Sequence, residues 1–223
     1  MKREFFITAD GSTSINLPDW NEQYHSKHGA VQEAYHVFIK YGLDAFAKNT
    51  SVNLLEIGFG TGLNCFITFL ESQKRNLNIN YDGIEAYPVS YLESKNLNYV
   101  TILQVQKHEE HFDKIHKISW EKRQEITANF QLKKRKQFFE DIEDKNKFNL
   151  IYFDAFGSRV QPELWTETIF QKMYDALKPN GILVTYSAKG SARRAMQKIG
   201  FKVEKVPGPL CKREMMRAVK IKL

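Results

Sequence analysis

The feature that most constrains the fold is a glycine-rich loop placed directly between an apolar strand and a helix. Residues 52–57 read Val-Asn-Leu-Leu-Glu-Ile, the pattern of a buried strand, and Gly58-Phe59-Gly60-Thr61-Gly62 follows at once. Residues 63–71 then have helical periodicity. Glycines at such a turn let the main chain bend sharply and approach a ligand closely. The segment therefore predicts an α/β domain with a binding site at this turn.

Strands and helices alternate along the rest of the chain. Further strands are predicted at 79–85, 130–139, 148–153, 182–186, 201–206 and 213–221, and helices at 29–46, from Pro88 onward, at 162–177 and at 190–199. This alternation predicts a doubly wound, mostly parallel, seven-stranded sheet. A β-hairpin within 1–22 and the helix after it form an extension over 1–50, which we expect to pack as one unit with a domain over 51–223. The polar, helix-prone stretch 104–129 is predicted to be an insertion.

The composition indicates a globular chain. Of its 223 residues, 42% are hydrophobic and 13% aromatic, enough for a substantial core. There is no run of 18 apolar residues, so no membrane association is expected. Cys65 and Cys211 are too few for a disulfide scaffold, and a cytoplasmic location is expected. His25 and His28 lack companion residues at ligand spacing, so no metal site is expected.

The positive charge is concentrated at the C-terminal end. Residues 178–223 contain 12 basic and 2 acidic residues, whereas 1–177 contain 21 basic and 24 acidic ones. Such a basic quarter suggests a polyanionic partner, since phosphate contacts dominate nucleic-acid affinity. A solvated lysine-rich surface explains the charge equally well.

The spacing within the glycine loop favours a nucleoside without a pyrophosphate. A dinucleotide-binding loop requires a third glycine or alanine where this chain has Leu63; the observed pattern is Glu-x-Gly-x-Gly-x-Gly. Glu85 ends the next strand, where a carboxylate can bind ribose hydroxyls. Asp141 follows the third strand, where a carboxylate can accept from an adenine amino group.

Asp154 ends the very apolar strand Ile151-Tyr152-Phe153 and is expected in the cleft above the sheet. A carboxylate there either caps the following helix or has a chemical task. An amine acceptor is mostly protonated at neutral pH, so a carboxylate that binds it or takes its proton would serve an N-methyl transfer.

Together these segments resemble a known family, the methyltransferase domain of the bifunctional MnmC-type enzymes that modify the tRNA wobble uridine. The resemblance rests on an ordered set of segments that covers nearly the whole chain: Thr8–Ser12, Tyr24–Ser26, Gly29-Ala30, Glu33, His36–Phe38, Leu55–Asn64, Phe153–Phe156, Pro162–Trp165, Thr185–Ser187, Gly200-Phe201 and Lys212–Met215. It implies a class I Rossmann-like fold and S-adenosyl-L-methionine (AdoMet) as the cofactor.

The resemblance also implies an activity and a set of site residues. The reaction would methylate the aminomethyl group of 5-aminomethyl(-2-thio)uridine in tRNA. Cofactor contacts are implied at Glu56, Gly58, Gly60, Gly62, Glu85 and Asp141. Asp154 would face the acceptor amine, and Tyr24, His25, Ser26 and Phe156 would form a lid over cofactor and substrate. His25 remains an alternative base.

The chain departs from the family pattern around the acceptor loop and in length. Ala155 stands where the family usually has glycine, Ser158 where it often has proline, and Gln161 where it has asparagine. Moreover, 223 residues cannot hold the flavin-dependent oxidase domain of the bifunctional enzymes. We therefore expect a stand-alone methyltransferase that depends on another pathway for its aminomethyl-uridine.

The basic C-terminal residues are the predicted tRNA surface. They are Lys189, Arg193, Arg194 and Lys198 on one helix, and Lys212 and Arg213 before the last strand. We expect them to hold phosphates of the anticodon stem-loop while the wobble base enters the cleft.

Three alternatives remain open. A spermidine-synthase-like aminopropyltransferase shares the fold, but it would want an acidic residue in the loop where this chain has Thr61. A non-catalytic AdoMet- or RNA-binding module would not need Asp154. A small-molecule methyltransferase would not need the basic C-terminal quarter.

Overall fold

The computed structural model describes residues 2–221 and shows an eight-stranded sheet with helices on both faces, beside a small three-stranded sheet. The strands are β1 Glu4–Ile7, β2 Thr13–Leu17, β3 Glu22–Gln23, β4 Ser51–Ile57, β5 Asn78–Ile84, β6 Arg123–Thr127, β7 Phe130–Arg135, β8 Phe148–Phe153, β9 Leu177–Thr185, β10 Phe201–Pro207 and β11 Glu214–Lys220. The α-helices are α1 Ala30–Ala34, α2 Leu63–Arg75, α3 Tyr91–Ser94, α4 Tyr99–Ile102, α5 Glu109–Lys117, α6 Glu167–Ala176 and α7 Gly190–Ile199.

The large sheet has the order β10-β11-β9-β8-β4-β5-β7-β6. Its five central strands, from β9 to β7, pair in parallel, and the outer pairs are antiparallel. This confirms the doubly wound, mostly parallel α/β fold. The predicted count of seven strands was wrong by one, because β6 adds an edge strand. Only Ile126 of β6 is buried, so the strand lacks the apolar alternation that would identify it.

Several predicted boundaries shift for local reasons. The helix expected over 29–46 has α geometry only in α1, continues in π geometry over Tyr35–Lys40, and ends before Gly42. A side chain at Gly42 would meet the carbonyl oxygen of Phe38 at 2.4 Å. Pro88 does not open a helix; α3 begins after Ser90, whose side chain caps it together with Glu93. Helix α6 is preceded by a separate 3₁₀ turn at Pro162–Trp165.

Two further boundaries changed. The stretch 104–129 contains helix α5 but also strand β6, so only part of this helix-prone stretch is helical. Strand β9 begins at Leu177 rather than at 182, because the main chain pairs with β8 on both sides of a register shift that accommodates Pro179, Asn180 and Gly181.

The core has two layers, one on each face of the sheet. Along β4, Val52 and Leu54 pack into the layer that contains α2, whereas Leu55 and Ile57 pack into the layer that contains α6 and α7. This period-two alternation between two apolar layers is typical of a sheet covered on both faces. Within residues 2–221, no helix is both long and apolar enough to cross a membrane.

The parallel pairing of β8, β4 and β5 determines where the predicted site residues meet. Ile57 of β4 lies beside Phe153 of β8 and Ile84 of β5, so the three strands end together. The glycine loop, Asp154 and Glu85 follow these three residues directly. The fold therefore brings three segments, distant in sequence, to one edge of the sheet.

Away from that edge, a buried aspartate joins the strands on the β7 side. Asp82 of β5 is fully buried and bonded to Arg123, and its other oxygen lies 2.8 Å from Lys147 Nζ and 3.8 Å from Arg135 Nη1. A buried carboxylate among three cations holds these groups in place. Its removal leaves Arg123 without its counterion, whereas Arg135 and Lys147 keep their ion pairs with Asp144.

We predict that Asp82→Ala lowers the free energy of unfolding by about 2–3 kcal/mol, the upper range for loss of a charged hydrogen-bond partner, because the cations left behind are partly exposed or still paired with Asp144. Asp44 pairs with Arg75 at the surface, and Asp44→Ala is expected to cost less than about 1 kcal/mol. Urea unfolding of both variants measures this. Equal effects would show that the Asp82 cluster does not stabilise the sheet.

Candidate functional site

A cavity of about 530 Å³ opens at the edge where β4, β5 and β8 end. Of the predicted cofactor, catalytic and lid residues, it is lined by Tyr24, His25, Ser26, Gly58, Gly60, Glu85, Asp154 and Phe156. The size is that of a small-molecule site. Loops from three strands and the N-terminal extension thus enclose one space.

The glycine loop is shaped by positive φ angles and close main-chain packing. Gly58, Gly60 and Gly62 have φ of +87°, +48° and +73°, values that other residues rarely adopt. The amides of Gly58 and Phe59 both donate to the carbonyl oxygen of Ile84, at 3.0 and 2.9 Å. A Cβ at Gly58 would lie 2.6 Å from the carbonyl oxygen of Asp154. Glycine at position 58 therefore lets the loop lie directly against the end of β8.

Glu85 connects the glycine loop to the end of β5. Its two carboxylate oxygens accept hydrogen bonds from the amides of Gly60 and Tyr87, each at 3.0 Å. Burial raises the pKa of Glu85, and these amide bonds act in the opposite direction. The side chain also lines the cavity, where a carboxylate is placed to accept from hydroxyl groups of a ligand.

Asp154 is partly buried in the cavity wall, and its pKa shift is the one at this site that bears most directly on proton transfer. Burial, followed by the nearby Glu33 carboxylate, raises its pKa to about 7, while a hydrogen bond from Asn64 and the charge of Lys212 act against this rise. Asn64 Nδ2 donates to Asp154 Oδ2 at 2.8 Å. A carboxylate with this pKa exchanges a proton readily near neutral pH.

Glu56 lies beneath the cavity rather than in its lining. It is fully buried and accepts hydrogen bonds from Tyr81 Oη at 2.8 Å and from Asn64 Nδ2 at 2.9 Å. Burial raises the pKa of Glu56 well above its usual range. Because the same amide nitrogen bonds Glu56 and Asp154, Asn64 connects the buried carboxyl to the cavity wall.

The N-terminal extension covers the glycine loop with aromatic side chains. The Tyr24 ring lies against Gly60, where a Cβ would approach it to 3.0 Å, and packs edge-on against Phe156. His25 Nδ1 lies 3.0 Å from Ser14 Oγ, and its Nε2 lies 3.3 Å from Thr61 Oγ1. Burial lowers the pKa of His25 to about 4, so the ring is neutral and serves as a polar bridge at physiological pH.

Two other predicted cofactor residues lie outside the cavity lining. Asp141 is exposed, and its neighbours Phe138, Phe139 and Glu140 line the cavity instead. Gly62 is absent from the lining as well, and a Cβ there would contact the His116 ring at 3.2 Å.

Three of the six predicted RNA-binding residues lie together beside the cavity. Lys189, Lys212 and Arg213 line a shallow depression that adjoins the cavity, together with Arg159. Lys212 also lines the cavity and pairs with Glu33 at 2.6 Å. The other three on α7 lie outside the depression, and Lys198 pairs with Glu167 at 2.8 Å.

Sequence reasoning missed Asn64 and the site role of Glu33, although both lie in segments that carried the family resemblance. Glu33 Oε2 accepts from the Ser26 amide at 3.2 Å, and its other oxygen holds Lys212. Across residues 2–221, no group of three His, Cys, Asp or Glu side chains is placed to hold a metal ion. The loop position that an aminopropyltransferase would fill with an acid holds Thr61, which is buried and accepts from Tyr99 Oη at 3.0 Å.

Comparison with known proteins identifies the family of this chain. Residues 100–221 match the sequence model of a family described as S-adenosyl-L-methionine-dependent methyltransferase. A Leptospira interrogans protein named tRNA 5-methylaminomethyl-2-thiouridine biosynthesis bifunctional protein MnmC is 29% identical over 222 residues, which cover 90% of this chain and 33% of that protein. The chain thus spans about a third of the length of such relatives.

Solved structures confirm the fold. The crystal structure of MNMC2 from Aquifex aeolicus aligns with a TM-score of 0.77 at 22% identity, covering 98% of this chain and 70% of that one. Spermidine synthase from Thermotoga maritima aligns with a TM-score of 0.53 at 14% identity, covering 99% and 80%. The two proteins differ in name but share the architecture, so the fold alone does not distinguish their reactions.

We predict that Gly58→Ala destabilises the protein by at least about 1 kcal/mol and weakens AdoMet binding, because its Cβ meets the main chain of Asp154 at a positive φ. Gly157 lines the same cavity without positive φ, and a Cβ there has no neighbour closer than 3.7 Å. Gly157→Ala should therefore keep the stability of the wild type. Thermal unfolding and calorimetric titration with AdoMet measure both effects; indistinguishable variants would contradict the packing argument.

We predict that Asp154→Asn stabilises the protein, and more so at pH 8 than at pH 5. The native pKa of about 7 lies above the unfolded value, so wild-type stability is lost as pH rises between the two, whereas asparagine does not titrate. The full difference is at most about 4 kcal/mol. Urea unfolding at both pH values measures it, and a variant whose stability difference does not grow with pH would contradict a raised pKa.

Proposed function

This chain belongs to the S-adenosyl-L-methionine-dependent methyltransferase family, and on that basis we propose that it methylates the aminomethyl group of 5-aminomethyl(-2-thio)uridine at the wobble position of tRNA. The observation that carries the proposal is the Asp154 carboxylate, which lies in the cavity wall beside the glycine loop with its pKa raised to about 7. AdoMet is the methyl donor of the family. The acceptor and the site assignments below are our proposal.

The residues present fit AdoMet. Gly58 and Gly60 leave the main chain of the loop bare where it lines the cavity, and Glu85 offers a carboxylate there. We assign these three residues to cofactor binding, with the aromatic rim at Phe138 and Phe139 beside them. When bound, AdoMet supplies an electrophilic methyl group on its sulfonium sulfur. Glu56 is assigned a supporting role through Asn64, because its side chain lies below the cavity.

Asp154 is the group that prepares the acceptor. An alkylamine is mostly an ammonium at neutral pH and has no free electron pair until a proton leaves. The Asp154 carboxylate lies in the cavity wall, where it takes one proton from this ammonium, and Asn64 fixes one of its oxygens by the 2.8 Å hydrogen bond. In the net reaction a nitrogen–carbon bond forms, the carbon–sulfur bond breaks and the amine loses one proton.

Two observations support tRNA as the source of the amine. The relatives that match most of this chain are named for tRNA 5-methylaminomethyl-2-thiouridine biosynthesis. The cavity adjoins a depression that contains Arg159, Lys189, Lys212 and Arg213, which suits backbone phosphates next to a base turned into the cavity. Such a substrate would place the reaction in the cytoplasm and would require another activity that supplies the aminomethyl group.

We assign to the N-terminal extension the role of a lid over the cavity. Tyr24, His25 and Ser26 line the cavity together with Phe156, and the Trp20 ring packs edge-on against Phe156 at a centroid distance of 5.8 Å. Aromatic cover over the reacting groups excludes water and strengthens the interactions of Asp154 with a cation.

We predict that label from methyl-labelled AdoMet enters tRNA that carries aminomethyl-uridine and is recovered as 5-methylaminomethyl-uridine. Asp154→Asn should lower kcat by about 10²–10⁴-fold while AdoMet affinity stays near that of the wild type, since a lost proton acceptor affects the reaction step. Asp175 on α6 lies outside the cavity lining, so Asp175→Asn is the matched control with wild-type turnover.

Two different results would contradict different parts of the proposal. Wild-type protein that binds AdoMet but leaves this tRNA unlabelled would contradict the substrate assignment. Unchanged turnover in Asp154→Asn would contradict the role of the carboxylate even if tRNA is labelled.

A further inference from the structure

The ammonium group of Lys212 occupies a small cation site in the wall of the cavity. Its Nζ lies 2.6 Å from Glu33 Oε1 and 4.3 Å from the centroid of the Tyr186 ring. A carboxylate on one side and an aromatic face on the other are the two elements by which proteins recognise alkylammonium groups. Both walls line the same cavity as Asp154.

The walls of this site are fixed without the help of Lys212. Glu33 lies in α1, and its second oxygen accepts from the Ser26 amide at 3.2 Å. Tyr186 Oη donates to the carbonyl oxygen of Ala155 at 2.8 Å, and its ring packs edge-on against Trp165. The site therefore persists if the lysine side chain moves away.

The Lys212 side chain also borders a second site. Lys212 lines both the cavity and the adjoining depression, whose other charged residues are Arg159, Lys189, Arg213 and one carboxylate, Glu214. Its side chain is 36% exposed, whereas that of Glu33 is only 14% exposed. A phosphate group bound among these cations would compete with Glu33 for the lysine ammonium.

The cation site is electrostatically coupled to the proposed proton acceptor. Glu33 raises the pKa of Asp154 and Lys212 lowers it, which shows that both charges act on the carboxyl. An alkylammonium that replaces the lysine between Glu33 and Tyr186 thus places its charge where it acts on the Asp154 carboxyl.

We propose that Glu33 and Tyr186 form the binding site for the ammonium group of the acceptor, and that Lys212 occupies this site until a backbone phosphate of the RNA draws it into the depression. The inference rests on the proposed function, since it takes a primary amine on an RNA as the substrate. It explains how one lysine borders two chemically different spaces. Binding of the RNA phosphate thereby also opens the site for the substrate ammonium.

The test uses the free nucleoside 5-aminomethyluridine, which has the amine but no phosphate. In Lys212→Met the competing ammonium is gone and the apolar stem remains, so we expect the nucleoside to bind about tenfold more tightly than to wild type, the scale of one partly desolvated cation contact. tRNA should bind less tightly to the same variant. Glu33→Gln should weaken nucleoside binding by a similar factor.

Lys189→Met is the matched control, because Lys189 lines the depression but not the cavity. It should weaken tRNA binding and leave nucleoside binding unchanged. Equilibrium dialysis with AdoMet-saturated protein gives the affinities, and AdoMet binding by each variant verifies folding. Lys212→Gln serves as a second variant if Lys212→Met does not fold.

The inference is overturned if the folded Lys212 variant binds the nucleoside no more tightly than wild type does. Undetectable binding to both proteins is the same result. The parent proposal is judged separately, by labelling of tRNA with wild-type protein. If wild-type protein labels tRNA but the Lys212 variant shows no gain in nucleoside affinity, only the proposed replacement of Lys212 by the substrate ammonium is rejected.

Discussion

The arrangement of the site depends on the removal of one carboxylate from water. Asp154 follows a strand whose last four residues, Leu150 to Phe153, are fully buried, so the main chain delivers it directly into the cavity wall. Burial disfavours its charge, and the hydrogen bond from Asn64 and the charge of Lys212 oppose this effect only in part. The carboxyl is therefore held where the gain or loss of a proton costs little near neutral pH.

The surrounding elements maintain this state. Gly58 lets the glycine loop approach the main chain of Asp154, and the Asn64 amide joins Asp154 to the buried Glu56–Tyr81 pair. On the open side, the Glu33–Lys212 ion pair balances the local charge. Under the proposed function, the contacts that fix the Asp154 carboxylate thus also define where a cofactor and a cationic amine can lie.

The sequence predicted the parts of the site that follow from strand ends. The glycine loop, Glu85 and Asp154 were found because each follows an apolar run, and parallel strands end together. The contacts of Asn64 and Lys212 were not predictable, since they join residues 90 and 179 positions apart through side chains. Asp141 was displaced because a single 3₁₀ turn at Phe139–Asp141 decides which side chain enters the cavity. The eighth strand was missed because edge strands need few apolar residues.

The most direct test is the titration of the Asp154 carboxyl carbon by ¹³C NMR in the protein without substrate, with Asp154→Asn used to assign the signal. The account predicts a midpoint near pH 7, as the burial of this group and its neighbour Glu33 require. A midpoint close to the ordinary aspartate value of about 4 would show a solvated carboxylate, and would contradict the role of Asp154 as a proton acceptor matched to neutral pH.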